Sequence, residues 1–138
     1  MIADQPHSDV HARLKASPIH GVGVFAIRDI IVGTNVFEND RRAINWIDAR
    51  VLDQGKLTDE ERQLYLDFGV RKGALIGCPE NFNLLGVGWY VNQPTPGETA
   101  NLQATEQLDM IAVRDIAAGE ELTISYAEFS EPLPQTGQ

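Results

Sequence analysis

The stretch HGVGVF, residues 20–25, places two glycines around one valine at the start of an apolar run. Gly21 and Gly23 leave the backbone bare, so a ligand can come close to its N–H and C=O groups. A Gly-x-Gly pair taken alone usually only shapes a turn, and no third glycine opens a helix here, so this is not a dinucleotide fingerprint. A second candidate is Tyr126, which ends GEELTISY, residues 119–126. A tyrosine closing an apolar, buried strand needs a partner for its hydroxyl, either a neighbouring carbonyl or a group held in a site. The third is NQPTPGETAN, residues 92–101, preceded by Trp89 and Tyr90. Its prolines, glycine and terminal asparagines mark a turn between two apolar segments.

Other chemistries find little support. There is no Gly-x-Ser-x-Gly, and Cys78, the only cysteine, has no convincing partner histidine. The three histidines lack zinc-ligand spacing, so no metal is expected. Glu60 with Glu61 and Glu120 with Glu121 read as the solvated faces of a helix and a turn.

The elements that must position these residues are mainly strands. HARLKASPIHGVGVFAIRDIIVGTNVFEN, from His11, has short β-branched runs cut by Pro18, Gly21, Gly23 and Gly33, and reads as three short strands with tight turns. AINWIDARVLDQG and TDEERQLYLDFG read as helical, with Thr58 or Asp59 as a cap, acidic residues in the first turn and Gly69 as the stop. Strand character returns from Ala74 through ALIGCP, FNLLGVG, NLQATEQ, LDMIAVRDI and ELTISY. The tail SEPLPQTGQ is polar and proline-bearing, which predicts a loosely held end.

An internal repeat is visible in this order of elements. AIRDIIVGTNV from Ala26 recurs as AVRDIAAGEEL from Ala112, with Ala, Arg, Asp, Ile and Gly at matching offsets. Each copy reads as a strand, a glycine turn and a second strand, and the two copies bracket the helical middle. This pattern predicts a β-rich domain of several small sheets and disfavours a doubly wound sheet, because strands and helices do not alternate.

At 138 residues the chain is expected to form one domain with its own core. The net charge of −9 argues against nucleic acid and suits a basic protein or peptide partner, although acidity also serves solubility alone. The absence of a long apolar run and the polar N-terminus argue against a membrane span or a signal peptide. A lone cysteine fits a reducing compartment, and the expected location is the cytoplasm.

HGVGVFAIRDIIVG, WYVNQPTPGETANLQA and MIAVRDIAAGEELTISY, in that order, resemble the SET domain family of S-adenosylmethionine-dependent protein-lysine methyltransferases. The resemblance spans residues 10 to 129, leaving 1–9 and 130–138 as tails. It implies a mainly β, SET-type β-clip fold of small sheets with a pseudoknot, in which the C-terminal strand passes beneath the Asn-containing loop. A short helical insert, about 41–88, would shape the substrate groove. Carried over by position, His20, Gly21, Val22 and Gly23 would cradle the methionine end of the cofactor S-adenosylmethionine. Asn92 and Gln93 would hold its adenine and amino-acid parts, Tyr126 would be the catalytic tyrosine and also touch the cofactor, and Phe129 would stack on the adenine or close the channel. The implied partner is a basic protein or peptide, and by analogy a minimal domain could dimerise to complete its groove.

The chain also departs from the family pattern. Asn92-Gln93-Pro94 stands where the family has Asn-His-Ser, and the loop to Asn101 is longer than usual. Asn39 or Asp40 in VFEND replaces an aromatic residue of the lysine channel, and no cysteine cluster supplies zinc-bound accessory segments. These departures keep a second reading open, a SET-fold binding module that no longer transfers methyl groups. A third reading is an interaction protein whose repeated corners only pack.

Overall fold

A computed structural model describes residues 7–40 and 44–131. The described residues contain strands β1 (Ala12–Ala16), β2 (Val22–Ala26), β3 (Ile44–Asp48), β4 (Val70–Lys72), β5 (Leu75–Pro79), β6 (Leu102–Ala104), β7 (Met110–Ala112) and β8 (Glu121–Leu122), with one helix, α1 (Asp59–Phe68). They group into two compact units, residues 7–40 with 87–128 and residues 44–86 with 129–131.

In the first unit β1 and β2 form an antiparallel hairpin, with Ala12 opposite Ala26 and Ala16 opposite Val22. The far edge of β2 takes β8, which sets Phe25 opposite Glu121. β6 and β7 form a second hairpin, with Leu102 opposite Ala112, and Asn35 bridges Ile111 on its outer edge. The alternating apolar residues turn inward: Val24, Ile30, Leu102, Ile116, Leu122 and Ile124 are almost fully buried.

The two copies of the repeat pair with each other. Ile30 N donates to Ile116 O at 2.8 Å, and Ile116 N returns the bond to Ile30 O at 2.8 Å. Gly33 N donates to Ala112 O and Gly119 N to Ala26 O, each at 2.8 Å. Asp115 Oδ1 accepts from Val32 N at 2.8 Å while Asp29 Oδ1 accepts from Ala118 N at 2.9 Å. Each bond thus recurs with the copies exchanged, which is a local two-fold relation. Gly33 and Gly119 sit at φ 90° and 92°, a conformation that disfavours any side chain. The third strand expected near residues 28–38 is reduced to the isolated bridges at Ile30 and Asn35, because the chain turns at Gly33 and again after Val36.

The C-terminal segment of this unit is held at both ends of the 92–101 loop. Thr123 bridges Asn92 and Ile124 bridges Leu102, both in parallel. Ile124 N donates to Asn92 O at 3.0 Å, and Leu102 N donates to Thr123 O at 2.9 Å. Asn101 secures the crossing: its Nδ2 donates to Glu121 O at 2.9 Å and its Oδ1 accepts from Thr123 N at 2.8 Å. A strand gripped by both ends of one loop is the pseudoknotted arrangement, and it satisfies backbone groups that burial would otherwise leave unpaired.

The second unit is less helical than its sequence suggests. Ile44–Asp48, read as helix, is instead strand β3, because Ile44, Trp46 and Ile47 pair along β5, with Ile47 opposite Ile76. A 3-10 turn, Ala49–Asp53, follows. FNLLGVG is not a strand either: its first part is a turn, and the 3-10 helix at Val87–Tyr90 in which it ends belongs to the first unit. α1 forms where expected: Thr58 and Glu61 make a reciprocal capping box, and Gly69 N closes the helix on Tyr65 O. Tyr65 and Leu66 of this helix pack on a small core of Ala49, Leu52 and Ile76. Ser130 and Glu131, read as part of a loose tail, pair with Arg71, whose O accepts from Glu131 N at 2.9 Å; residues 132–138 lie outside the described residues.

Candidate functional site

Of the expected cofactor residues, His20, Gly21, Val22, Gly23 and Asn92 meet at the turn between β1 and β2. This five-residue turn, 17–21, is shaped by Ser17, whose Oγ accepts from Ile19 N at 3.0 Å and His20 N at 3.3 Å. Ser17 N donates to Gly21 O at 2.8 Å, and Gly21 takes φ 46° to close the turn. His20, Gly21 and Val22 are exposed, so their backbone is open to a ligand, while Gly23 is buried.

Asn92 joins this turn to the C-terminal strand. It is only 8% exposed, and its Nδ2 lies 3.0 Å from His20 O, 3.3 Å from Val22 O, 3.3 Å from Ser17 Oγ and 3.0 Å from Glu121 Oε2. Ser17 Oγ is 2.8 Å from each oxygen of the Glu121 carboxylate. Gly23 makes room for that carboxylate: a Cβ added there would fall 2.2 Å from Glu121 Oε2. Glu121 is therefore no solvated turn residue, contrary to the sequence reading. Ser17 and Glu121 are the site residues that the sequence reading missed. The available signal was alternation: Leu122 and Ile124 are fully buried, so Glu121 and Thr123 must share the opposite face of the strand, towards the bare backbone at Gly23.

Tyr126 lies just beyond this cluster. It does not close a buried strand, since β8 ends at Leu122 and Tyr126 begins a 3-10 turn, Tyr126–Glu128, where it is 40% exposed. Its hydroxyl nevertheless donates to Val91 O at 2.6 Å, and its backbone N donates to Gln93 Oε1 at 3.2 Å. Burial of the hydroxyl end pushes the phenol above its ordinary pKa, so it stays protonated at neutral pH. Val91, Asn92 and Gln93 are thus all tied to residues 124–126, and Asn92 reaches on to the glycine turn. Phe129 belongs to the second unit and is half-buried. Asn39 and Asp40 are exposed, and Asn39 Nδ2 donates to Asp9 Oδ2 at 3.3 Å.

The acceptors around Asn92 would suit the amino-acid end of S-adenosylmethionine. Four acceptors surround Asn92 Nδ2, which has only two N–H bonds to give, and one of the acceptors is a carboxylate. Such an acceptor surplus complements a cationic α-amine. Among the described residues no cluster of three metal-ligating side chains occurs, and no helix is long and apolar enough to cross a membrane. Cys78 is buried and its thiol is pushed up by that burial.

A hairpin with a glycine turn, an asparagine-bearing loop and a C-terminal strand held within it define a SET-type fold. The SET domain model matches residues 21–127, and the chain belongs to the SET domain family. Among solved structures it is similar to a Plasmodium falciparum protein assigned as a histone methyltransferase, with 16% identity and a TM-score of 0.54 over 85% of this chain and 93% of that one. It is also similar to the methyltransferase domain of human PR domain-containing protein 2, with 17% identity and a TM-score of 0.47 over 83% of this chain and 76% of that one. No curated protein matches the sequence.

Proposed function

We propose that the chain transfers a methyl group from S-adenosylmethionine to a lysine side chain of a protein, with a basic segment as its substrate. The observation that carries this reading is the tie at residues 91–93. One short stretch positions both the Tyr126 hydroxyl, through Val91 O, and the glycine turn, through the Asn92 amide. Membership of the SET family supports the reading, and the charge of −9 favours a basic segment over an acidic one.

S-adenosylmethionine supplies a methyl group activated on a sulfonium. His20, Gly21, Val22 and Asn92 would hold its amino-acid end through backbone and amide groups, and Glu121 would act on that end through Asn92. Gln93 keeps its side-chain oxygen on Tyr126 N, so its part in this reading is to orient the tyrosine. With its proton committed to Val91 O, the Tyr126 oxygen meets an incoming amine only as an acceptor, which aligns the amine lone pair for in-line attack. The same oxygen would offer a partial negative charge to the positive methyl group of a bound cofactor.

Calorimetry with S-adenosylmethionine, beside a methyl-transfer assay on a panel of basic peptides, tests the proposal. Tyr126→Phe should bind the cofactor as the wild type does and lose roughly a hundredfold or more in turnover. Cofactor binding without transfer to any peptide would favour a SET-fold binding module. No binding at millimolar cofactor would remove both readings.

A further inference from the structure

We propose that Glu121 is a positioning residue that locks the side-chain amide of Asn92 in one orientation. An asparagine amide presents a donor on one side and an acceptor on the other, nearly equal in size, so hydrogen-bonding surroundings alone decide which faces where. Around Asn92 the decision is one-sided. Nδ2 faces two carbonyls, a hydroxyl oxygen and Glu121 Oε2, all within 3.3 Å. A half-turn of the amide would set its oxygen against those same oxygens.

The two carbonyls and the hydroxyl are neutral, and Ser17 could turn its proton outward to greet a flipped amide. Glu121 removes that escape. Its two oxygens, each 2.8 Å from Ser17 Oγ, claim the only hydroxyl proton, so Ser17 offers Asn92 only lone pairs. The carboxylate is itself an acceptor with no proton to give, and the bare α-carbon of Gly23 lets it press against β2. Charge assistance makes its bond to Nδ2 the strongest of the set. Locked this way, Asn92 keeps its Oδ1 turned away from the cluster. Ser17 also transmits the lock to the turn, because its Oγ holds Ile19 N and His20 N.

The functional consequence rests on the reading of Asn92 as a cofactor-facing residue; the lock itself does not. Glu121→Gln tests both, since a glutamine amide can donate to a flipped Asn92 and so weakens the preference, which then rests on the two carbonyls alone. Side-chain amide NMR should show slowly exchanging Asn92 Nδ2 protons in the wild type, and Glu121→Gln should raise their exchange about tenfold. S-adenosylhomocysteine affinity, measured by calorimetry well below the melting transition, should fall about tenfold in the same variant. Ser17→Ala should raise the exchange and lower the affinity by about threefold each, and it carries both measurements if Glu121→Gln does not fold. A purely structural Glu121 would lower the melting temperature and leave both readouts unchanged, and that result overturns the proposal. Altered Asn92 exchange in a protein whose wild type binds no S-adenosylhomocysteine upholds the lock and removes the methyltransferase reading.

Discussion

The two hairpins of the first unit are built on one plan and differ in what they carry. In one, β8 packs Glu121 against β2; in the other, Asn35 takes the matching place against β7, since Glu121 faces Phe25 as Asn35 faces Ile111. The first hairpin runs five residues a side and ends in the Ser17–Gly21 turn, whereas the second pairs only three a side. Glu121 meets Ser17 and Asn92, while Asn35 Oδ1 is buried with no hydrogen-bond partner. The repeated corner thus supplies a scaffold, and the polar cluster sits on one copy only, where a longer hairpin, a missing Cβ and a carboxylate coincide.

The sharpest way to break this difference is Gly23→Ala. The added Cβ cannot share space with Glu121 Oε2, 2.2 Å away, and it also crowds the Ser17 Cβ at 2.9 Å. The carboxylate must withdraw, which ends the contacts to Ser17 and Asn92 together. Overpacking of this kind costs about 1–3 kcal/mol of stability. Denaturant unfolding should show that loss, and calorimetry should show S-adenosylmethionine affinity falling by about tenfold or more, as one charge-assisted bond and its neighbours are lost. An alanine variant with wild-type affinity would mean that the carboxylate is not needed where the structure puts it.

What the copies share can be tested as directly. Asp29 and Asp115 each accept from a turn N–H of the opposite copy, at 2.9 and 2.8 Å. The local two-fold predicts that Asp29→Ala and Asp115→Ala lower unfolding free energy by similar amounts, about 1 kcal/mol each, as loss of a turn-capping carboxylate does. Neither change should alter cofactor affinity. Costs that differ by more than about 1 kcal/mol would show that the pairing is symmetric in geometry alone.

The repeat itself was legible because identity at fixed offsets needs no structure to be seen, and the capping box at Thr58 and Glu61 was legible because its determinants are local. That the copies pair with each other was not, since nothing local to AIRDIIVG says that its partner lies 86 residues on. Ile44–Asp48 looked helical for the same reason: its strand exists through β5, thirty residues later, and pairing overrides weak propensity. In the site, glycine and tyrosine motifs were visible, but Ser17 and Glu121 were not. A serine in a turn and a glutamate after a glycine are ordinary on their own terms, and only the register of β8 on β2 brings them together.

The smallest expected effect concerns a pair that only the second copy has. Arg114 Nη2 lies 3.0 Å from Glu120 Oε2, and Glu120 Oε1 accepts from Ala117 N at 3.1 Å. At the matching place in the first copy stands Thr34, whose Oγ1 donates to Ile31 O at 2.6 Å and carries no charge. The Arg114 guanidinium, and secondarily the Ala117 N–H, hold the Glu120 carboxyl below its ordinary value. A carboxyl lowered in the folded state stabilises fully above its unfolded pKa, near 4.5, and that contribution is lost as pH falls through the folded value. The pair is open to solvent, so its worth is below about 1 kcal/mol. Glu120→Gln should therefore flatten the acid limb of the stability curve below about pH 4.5 by no more than that. Thr34→Val should shift the curve evenly at every pH. An acid limb unchanged by Glu120→Gln would leave the turn bond to Ala117 N, which a glutamine oxygen can also accept, as the residue's whole contribution. The second corner would then rest, as the first one does, on its turn hydrogen bonds and on the Asp29 and Asp115 carboxylates that the two copies exchange.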